Sequence, residues 1–276
     1  MNVTGGEQGL LAGKGWMFGV LMAILVGVVI IGGIRSIAAV ASKLVPVMGL
    51  LYLLGGVAII LMHLPEVPGA FGTIVSKAFS LDAGLGGLLG GLLVGVQRAC
   101  FSNEAGLGSA AIVHSSARTD PVTQGFVAML GPFIDTVIIC MITGLVIVVT
   151  GMYEDGSGIE GVRLTSSAFE TSIPGAEYFL ALTVFLFAYS TIITWSYCGT
   201  KAVTYLFGED DRYQLAFRFV YCLLVIVGAS AQLENVILFT DAMIFSMAFS
   251  NIIGLYVLAP EIKRDLKKHL QHIENK

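Results

Sequence analysis

Six runs of this chain, residues 16–34, 44–62, 126–150, 178–198, 215–231 and 236–258, are each long and apolar enough to cross a bilayer. A helix needs about 20 such residues to cover the hydrocarbon layer. Hydrocarbon offers no partner to a peptide N–H or C=O, so spanning segments must satisfy their own backbone, and helices do so. Charged residues make up only 12% of the chain and hydrophobic ones 56%, with a mean hydropathy of +0.86. A soluble domain carries about 25% charge. The reading is an all-α integral membrane protein in contact with the lipid bilayer. Nothing basic and aromatic-interleaved points to a nucleic-acid partner.

A further stretch, residues 81–116, is apolar but glycine-rich and carries charge in its middle. Counted as one discontinuous span, it brings the total to about seven transmembrane segments. Loop charge agrees. With the C-terminus taken as cytoplasmic, inside loops hold Arg35, Lys43, Arg118, Lys201, Arg212, Arg218, Lys263, Arg264, Lys267 and Lys268, and the opposite loops only Lys14, Lys77 and Arg163. That asymmetry follows the positive-inside rule. It predicts a multi-pass protein of the plasma (inner) membrane with a cytoplasmic C-terminus. Residues 1–276 read as a single transmembrane domain, 152–174 as an external polar loop, and 261–276 as a cytoplasmic basic tail forming a short surface helix. Residues 1–14 lack the basic start of a signal peptide, and Pro46 falls in the first turn of its run, where proline costs little.

The interrupted stretch holds Arg98, Ser102, Asn103, Glu104, Gly106 and Gly108 within a few turns. Ionisable groups at membrane depth cost about 2.5–3.5 kcal/mol each, so they persist where something uses or pairs them. Ser102 or Asn103 can cap a helix starting near Glu104, and Gly106 and Gly108 allow the backbone to unwind. A broken span frees N–H groups that attract a carboxylate and C=O groups that coordinate a cation. The alternative is a structural kink with Arg98 and Glu104 paired. Just upstream, Gly87, Gly91 and Gly95 line one helix face and predict close helix packing.

Other polar groups are sparse. Ser190, Thr191 and Thr194 cluster one or two turns before or beside Trp195, and such hydroxyls can ligate Na⁺, a hard cation, or bond back to their own helix. Asp135 lies near mid-depth and needs a partner, a proton or a cation; Asp241 reads as nearer an interface. His114 reads as solvated. Cys100, Cys140, Cys198 and Cys222 stand singly, without metal-ligand spacing. No Ser/His/Asp set, HExxH or paired catalytic acids occur, which argues against an enzyme.

The run Gly95-Val96-Gln97-Arg98-Ala99-Cys100-Phe101-Ser102-Asn103-Glu104-Ala105-Gly106-Leu107-Gly108-Ser109-Ala110 resembles the alanine/glycine:cation symporters, amino-acid carriers of the APC superfamily. Gly32-Gly33-Ile34-Arg35, Leu44-Val45-Pro46-Val47-Met48, Gln124-Gly125-Phe126, Phe133-Ile134-Asp135-Thr136 and Phe187 to Tyr197 extend the resemblance from about Gly15 to the tail. It implies the second part of a leucine-transporter-like inverted-repeat fold. It further implies a pocket for alanine or glycine lined by Phe101, Ser102, Asn103 and Gly106 and closed on one side by Trp195. Ser190 and Thr191, with Thr194 as a weaker third, are implied ligands of a coupling Na⁺; H⁺ is the alternative coupling ion, and no organic cofactor is implied.

The family's Gly-Thr-Gly-Asn-type motif on a matching first broken helix is absent from this sequence. The expectation is therefore the C-terminal portion of a Na⁺-coupled symporter that meets a missing N-terminal repeat, in cis or in trans. The competing reading is a non-transporting membrane fragment or scaffold whose polar groups serve packing alone. A channel is disfavoured, because no charged ring or carbonyl filter repeat is visible.

Overall fold

In a computed structural model of the chain, described for residues 14–79, 84–154, 159 and 161–274, every regular element is helical. Residues 1–13, read above as lacking a signal peptide, and residues 155–158 and 160 of the external polar loop lie outside the described residues. The helices are α1 (Gly15–Ile31), α2 (Gly33–Met62), α3 (Val67–Ala78), α4 (Gly84–Asn103), α5 (Ser109–His114), α6 (Pro121–Pro132), α7 (Cys140–Val149), α8 (Val162–Ser172), α9 (Ala176–Phe207), α10 (Asp211–Ser230) and α11 (Leu233–Glu274). A π-helical stretch, Phe133–Ile139, joins α6 to α7. Among the described residues five helices are long and apolar enough to cross a membrane: Gly33–Met62, Pro121–Val149, Ala176–Phe207, Asp211–Ser230 and Glu234–Glu274. Residues 16–34 instead give the 17-residue α1, and residues 81–116 give α4 and α5 with a break between them.

The chain groups into two compact units, one from Met1–Asp82 and Ile139–Ala231, the other from Ala83–Ile138 and Gln232–Lys276. In the first, α1 lies along α10 because Gly19 has no side chain: a Cβ there would stand 2.9 Å from the Ile226 Cα. Close approach of this kind is how spanning helices gain contact where burial from water drives nothing. A Cβ on Gly56 would overlap the Ile142 side chain where α2 meets α7, and one on Gly199 would overlap the Phe217 ring between α9 and α10. Val26, Ile30, Ile59, Val146, Phe169, Leu180 and Ile193 fill this core. Hydroxyls inside it find acceptors: the Tyr221 OH donates to the Ile192 carbonyl at 2.8 Å, and Tyr52 and Thr143 hydroxyls share a 2.6 Å hydrogen bond.

Three expectations need correction. Pro46 sits well inside α2 rather than in its first turn, since the helix begins at Gly33. Arg35 and Lys43, read as loop residues, are helical, because their long apolar stems let a helix carry them to its polar margin. The basic tail is no separate surface helix: α11 runs unbroken through Pro260 to Glu274. Good helix formers on both sides and the Arg264–Glu261 contact at 3.2 Å favour continuation.

At the corner before α9, the Glu170 carboxylate accepts hydrogen bonds from the N–H groups of Gly175 at 3.0 Å and Glu177 at 3.1 Å. These bonds, the Gly175 one foremost, hold its carboxyl below the usual glutamate value. Its contribution to stability is therefore present above the unfolded pKa, about 4.3, and is lost as pH falls through the lower folded value. Melting temperature of the purified chain should drop across that acid window. Glu170→Gln should flatten the drop; an unchanged acid slope would refute the capping role.

Candidate functional site

Helix α4 delivers a polar face to its own end. Arg98 and Ser102, four residues apart, lie one turn above the other. The Arg98 guanidinium donates to Asp241 Oδ2 on α11 at 2.5 Å, and its plane lies over the Phe101 ring at 4.8 Å. Phe101 in turn meets Phe245 edge-on, ring centres 6.4 Å apart, within the usual range for such pairs. The Asp241 side chain is 17% exposed, and its other oxygen, Oδ1, is buried without a hydrogen-bond partner.

One turn on, the Ser102 hydroxyl donates to Asp135 Oδ2 at 2.5 Å and lies 3.2 Å from the Thr136 hydroxyl. The Asn103 amide donates to Thr136 Oγ1 at 3.5 Å, while its Oδ1 accepts from the Ala105 N–H at 3.2 Å. The helix then stops. Glu104 takes a left-handed φ of 52°, which is costly for a residue with a Cβ. The Ser109 hydroxyl holds its carboxylate at 2.6 Å. Gly106 and Gly108 are also left-handed, at 87° and 95°, before α5 begins. The Asn251 amide of α11 donates to the Gly106 carbonyl at 2.9 Å. A carbonyl freed by unwinding has thus been given a side-chain partner.

Several readings of the sequence change here. Arg98 pairs with Asp241 and not with Glu104, because Glu104 lies beyond the helix end and turns back to Ser109. Asp241, read as interfacial, is the counter-ion of Arg98 on α4. Neither Ser102 nor Asn103 caps a helix at Glu104; they end α4, and the next helix starts at Ser109. His114 meets the Gln124 amide at 2.6 Å. Among the described residues no atom lies within 4 Å of a Cβ placed on Gly91 or Gly95, so the glycine stripe packs against nothing there. Asn251 is a site residue that sequence reading passed over. Its signal was present: an amide in the middle of the apolar run 236–258.

The structure brings Phe101, Ser102, Asn103 and Gly106 together within the second unit. Ser190, Thr191, Thr194 and Trp195 lie on α9, in the first. There the Ser190 hydroxyl donates to the Phe187 carbonyl at 2.9 Å and Thr194 to the Ser190 carbonyl at 2.8 Å. Both hydroxyls are back-bonded and keep lone pairs, whereas Thr191 is exposed and Trp195 half-buried.

The sequence matches the family described as "Sodium:alanine symporter family" over residues 2–276. It is 38% identical over 253 residues to a sodium/alanine symporter, AgcS, of Methanococcus maripaludis, covering 90% of this chain and 55% of that protein. It is 32% identical over 243 residues to the amino-acid carrier protein AlsT of Bacillus subtilis, covering 87% and 51%. A sodium/proton-dependent alanine carrier protein of Bacillus sp. (strain PS3) is 28% identical over 274 residues, covering 93% and 62%. The chain spans about half the length of the curated relatives it matches.

Proposed function

Because the chain belongs to the sodium:alanine symporter family, a family of transporters and not of enzymes, we propose that it serves Na⁺-coupled symport of alanine or glycine across the plasma membrane. The observation that carries this is the break after Asn103: a span whose backbone opens over residues 104–108, with Phe101, Ser102 and Asn103 at its edge. Open backbone at membrane depth belongs to a cavity or a binding site. Phe101, Ser102, Asn103 and Gly106 line the path of the amino acid, and Trp195 limits its size. Ser190 and Thr191, supplemented by Thr194, offer oxygen ligands to Na⁺, Thr191 with its hydroxyl uncommitted. The matching N-terminal repeat, in cis or in trans, supplies the rest of the carboxylate site, and the C-terminus faces the cytoplasm. Coupling needs no covalent step, since ion and substrate favour the same occluded arrangement.

Uptake of radiolabelled alanine into proteoliposomes under a sodium gradient tests this, using the chain alone and joined to the N-terminal part of a relative. Thr191→Ala should raise the half-saturating Na⁺ about tenfold, the loss of one ligand at about 1.4 kcal/mol. Asn103→Ala should depress uptake at fixed Na⁺. If neither form takes up alanine or glycine, or both variants behave as the parent, the membrane-scaffold reading replaces this one.

A further inference from the structure

Three cations far apart in the sequence line one cavity of the first unit. Arg35 near the start of α2, Lys201 on the last turns of α9 and Arg218 on α10 border a hollow of about 440 Å³. Among the described residues Glu209 is the one carboxylate on its wall, so three cations against one carboxylate leave two positive charges in excess. Among the described residues none of these four groups forms an ion pair. The positive-inside rule collects cations on this margin of a membrane protein. It asks only for the side, however, and Lys43 and Lys263 satisfy it without lining the cavity. Convergence on one hollow needs a further cause.

The cavity is built to receive an anion. Gly33 takes a left-handed φ of 67°, which parts α2 from α1, and α2 starts without a side-chain cap. Arg218 sits at this joint. Its Nη1 donates to the Ile31 carbonyl at 3.2 Å and its Nη2 to Gln214 Oε1 at 3.3 Å. These bonds fix the guanidinium while using two of its five N–H donors; three remain. The Lys201 ammonium lies over the buried Tyr197 ring, 5.7 Å from its centre. Ile30 and Ile37, both buried, give part of the wall hydrocarbon character. A guanidinium fork with spare donors matches the oxygens of a phosphate. Basic pockets between spanning helices on the cytoplasmic side accept anionic headgroups. The volume falls within the range of small-molecule sites, about 300–1,000 Å³, and so exceeds the needs of a bare ion.

We propose that Arg35, Lys201 and Arg218 bind the phosphate group of an anionic phosphate compound, either a phospholipid headgroup or a free phosphate, at the membrane margin read as cytoplasmic. Arg218, held by Ile31 and Gln214, offers its remaining N–H groups to the phosphate oxygens. Arg35 and Lys201 close on the same group from α2 and α9. The ligand thereby ties the joint between α1 and α2 to α9 and α10, while Glu209 opposes it and limits its affinity. The site shares no residue with the amino-acid path or the Na⁺ ligands proposed above, and it requires only that the chain span a membrane.

Native mass spectrometry of the purified full chain, from micelles doped with phosphatidylglycerol or phosphatidylcholine, tests the site by counting retained lipid. Equilibrium dialysis against radiolabelled inorganic phosphate tests the free ion. Retention of phosphatidylglycerol over phosphatidylcholine, with no inorganic phosphate bound, identifies a lipid headgroup as the ligand. Bound inorganic phosphate, with or without displacement of the lipid, identifies free phosphate compounds as occupants. Arg35→Gln and Lys201→Gln should each weaken whichever ligand binds about tenfold, one contact at about 1.4 kcal/mol. Arg218→Gln should weaken it further; because it also frees the Ile31 carbonyl, the other two variants decide if it fails to fold by circular dichroism. Glu209→Gln should tighten binding severalfold, which loss of a merely structural carboxylate would not do. Lys43→Gln removes a cation outside the cavity and should change nothing. The proposal is overturned if the parent binds neither ligand or if the Arg35 and Lys201 variants bind as the parent does. It is equally overturned if Lys43→Gln weakens binding as much as they do, since diffuse surface charge would then account for it.

Discussion

Asp241→Ala should lower the chain's resistance to unfolding by about 2 kcal/mol, because it leaves Arg98 without its counter-ion: breaking a buried pair costs about 3–5 kcal/mol, reduced here by the partial exposure of the Arg98 side chain. The pair is made at 2.5 Å between α4 and α11, and removing one member of a desolvated pair leaves the other without compensation. Arg98→Ala should cost less, since its side chain is 46% exposed and Asp241 can be protonated. The double variant should be more stable than Asp241→Ala alone, for it leaves no orphaned ion. Unfolding monitored in mixed micelles over this cycle gives the coupling directly. Additive losses would show that the two charges do not support one another. Asp241→Asn, which keeps a polar group for the guanidinium but not the charge, should fall between parent and alanine.

The second large effect is expected at the break. Gly108→Val should cost about 3 kcal/mol, combining the 1–3 kcal/mol of a left-handed backbone with the further burden of a β-branched side chain there. The space is closed as well: a Cβ at Gly108 would stand 3.3 Å from the Asn251 amide, the group that satisfies the Gly106 carbonyl. Gly106→Ala is the informative comparison. Its φ is similarly left-handed, but the nearest atom to its Cβ is Ile252 Cγ1 at 3.8 Å, so it bears the backbone strain without displacing Asn251. Gly108→Ala should therefore exceed Gly106→Ala in both instability and loss of uptake. Equal effects would mean that the Asn251 contact contributes nothing.

Much of this architecture is written in residue order because bilayer physics is local. Runs of apolar residues specify spanning helices without reference to what they pack against, so the all-helical membrane character was legible, as was an interruption near Glu104 from its glycines and charge. Pairing was not. Arg98 has acids both six residues away, at Glu104, and far along the chain, at Asp241. Sequence distance favours the first, but the helix end between them turns Glu104 toward Ser109. Pro46 and Pro260 misled in the other direction. Pro46, read into the first turn of its span, and Pro260, just ahead of the tail read as a separate helix, are both interior, because the residues around them propagate a helix well enough to absorb one missing hydrogen bond. The π-helical stretch left no mark at all, since Phe133-Ile134-Asp135-Thr136 has the composition of ordinary helix. A widening of one turn is decided by what its side chains must reach.

The unbroken course of α11 gives the second unit a mechanical property. Its 42 residues extend about 63 Å, roughly twice the hydrocarbon thickness. The same rod bears Asp241 and Asn251, which touch the broken span, and further on His269, which lies 3.4 Å from Asp120. A tilt of about 10° pivoting at the Asp241 end would sweep the far tip through several ångströms, on the order of 8 Å for that helical rise. The distal turns would act as a pointer that magnifies rearrangements around Arg98, and a spin label near His272 would read them out at a distance from the broken span.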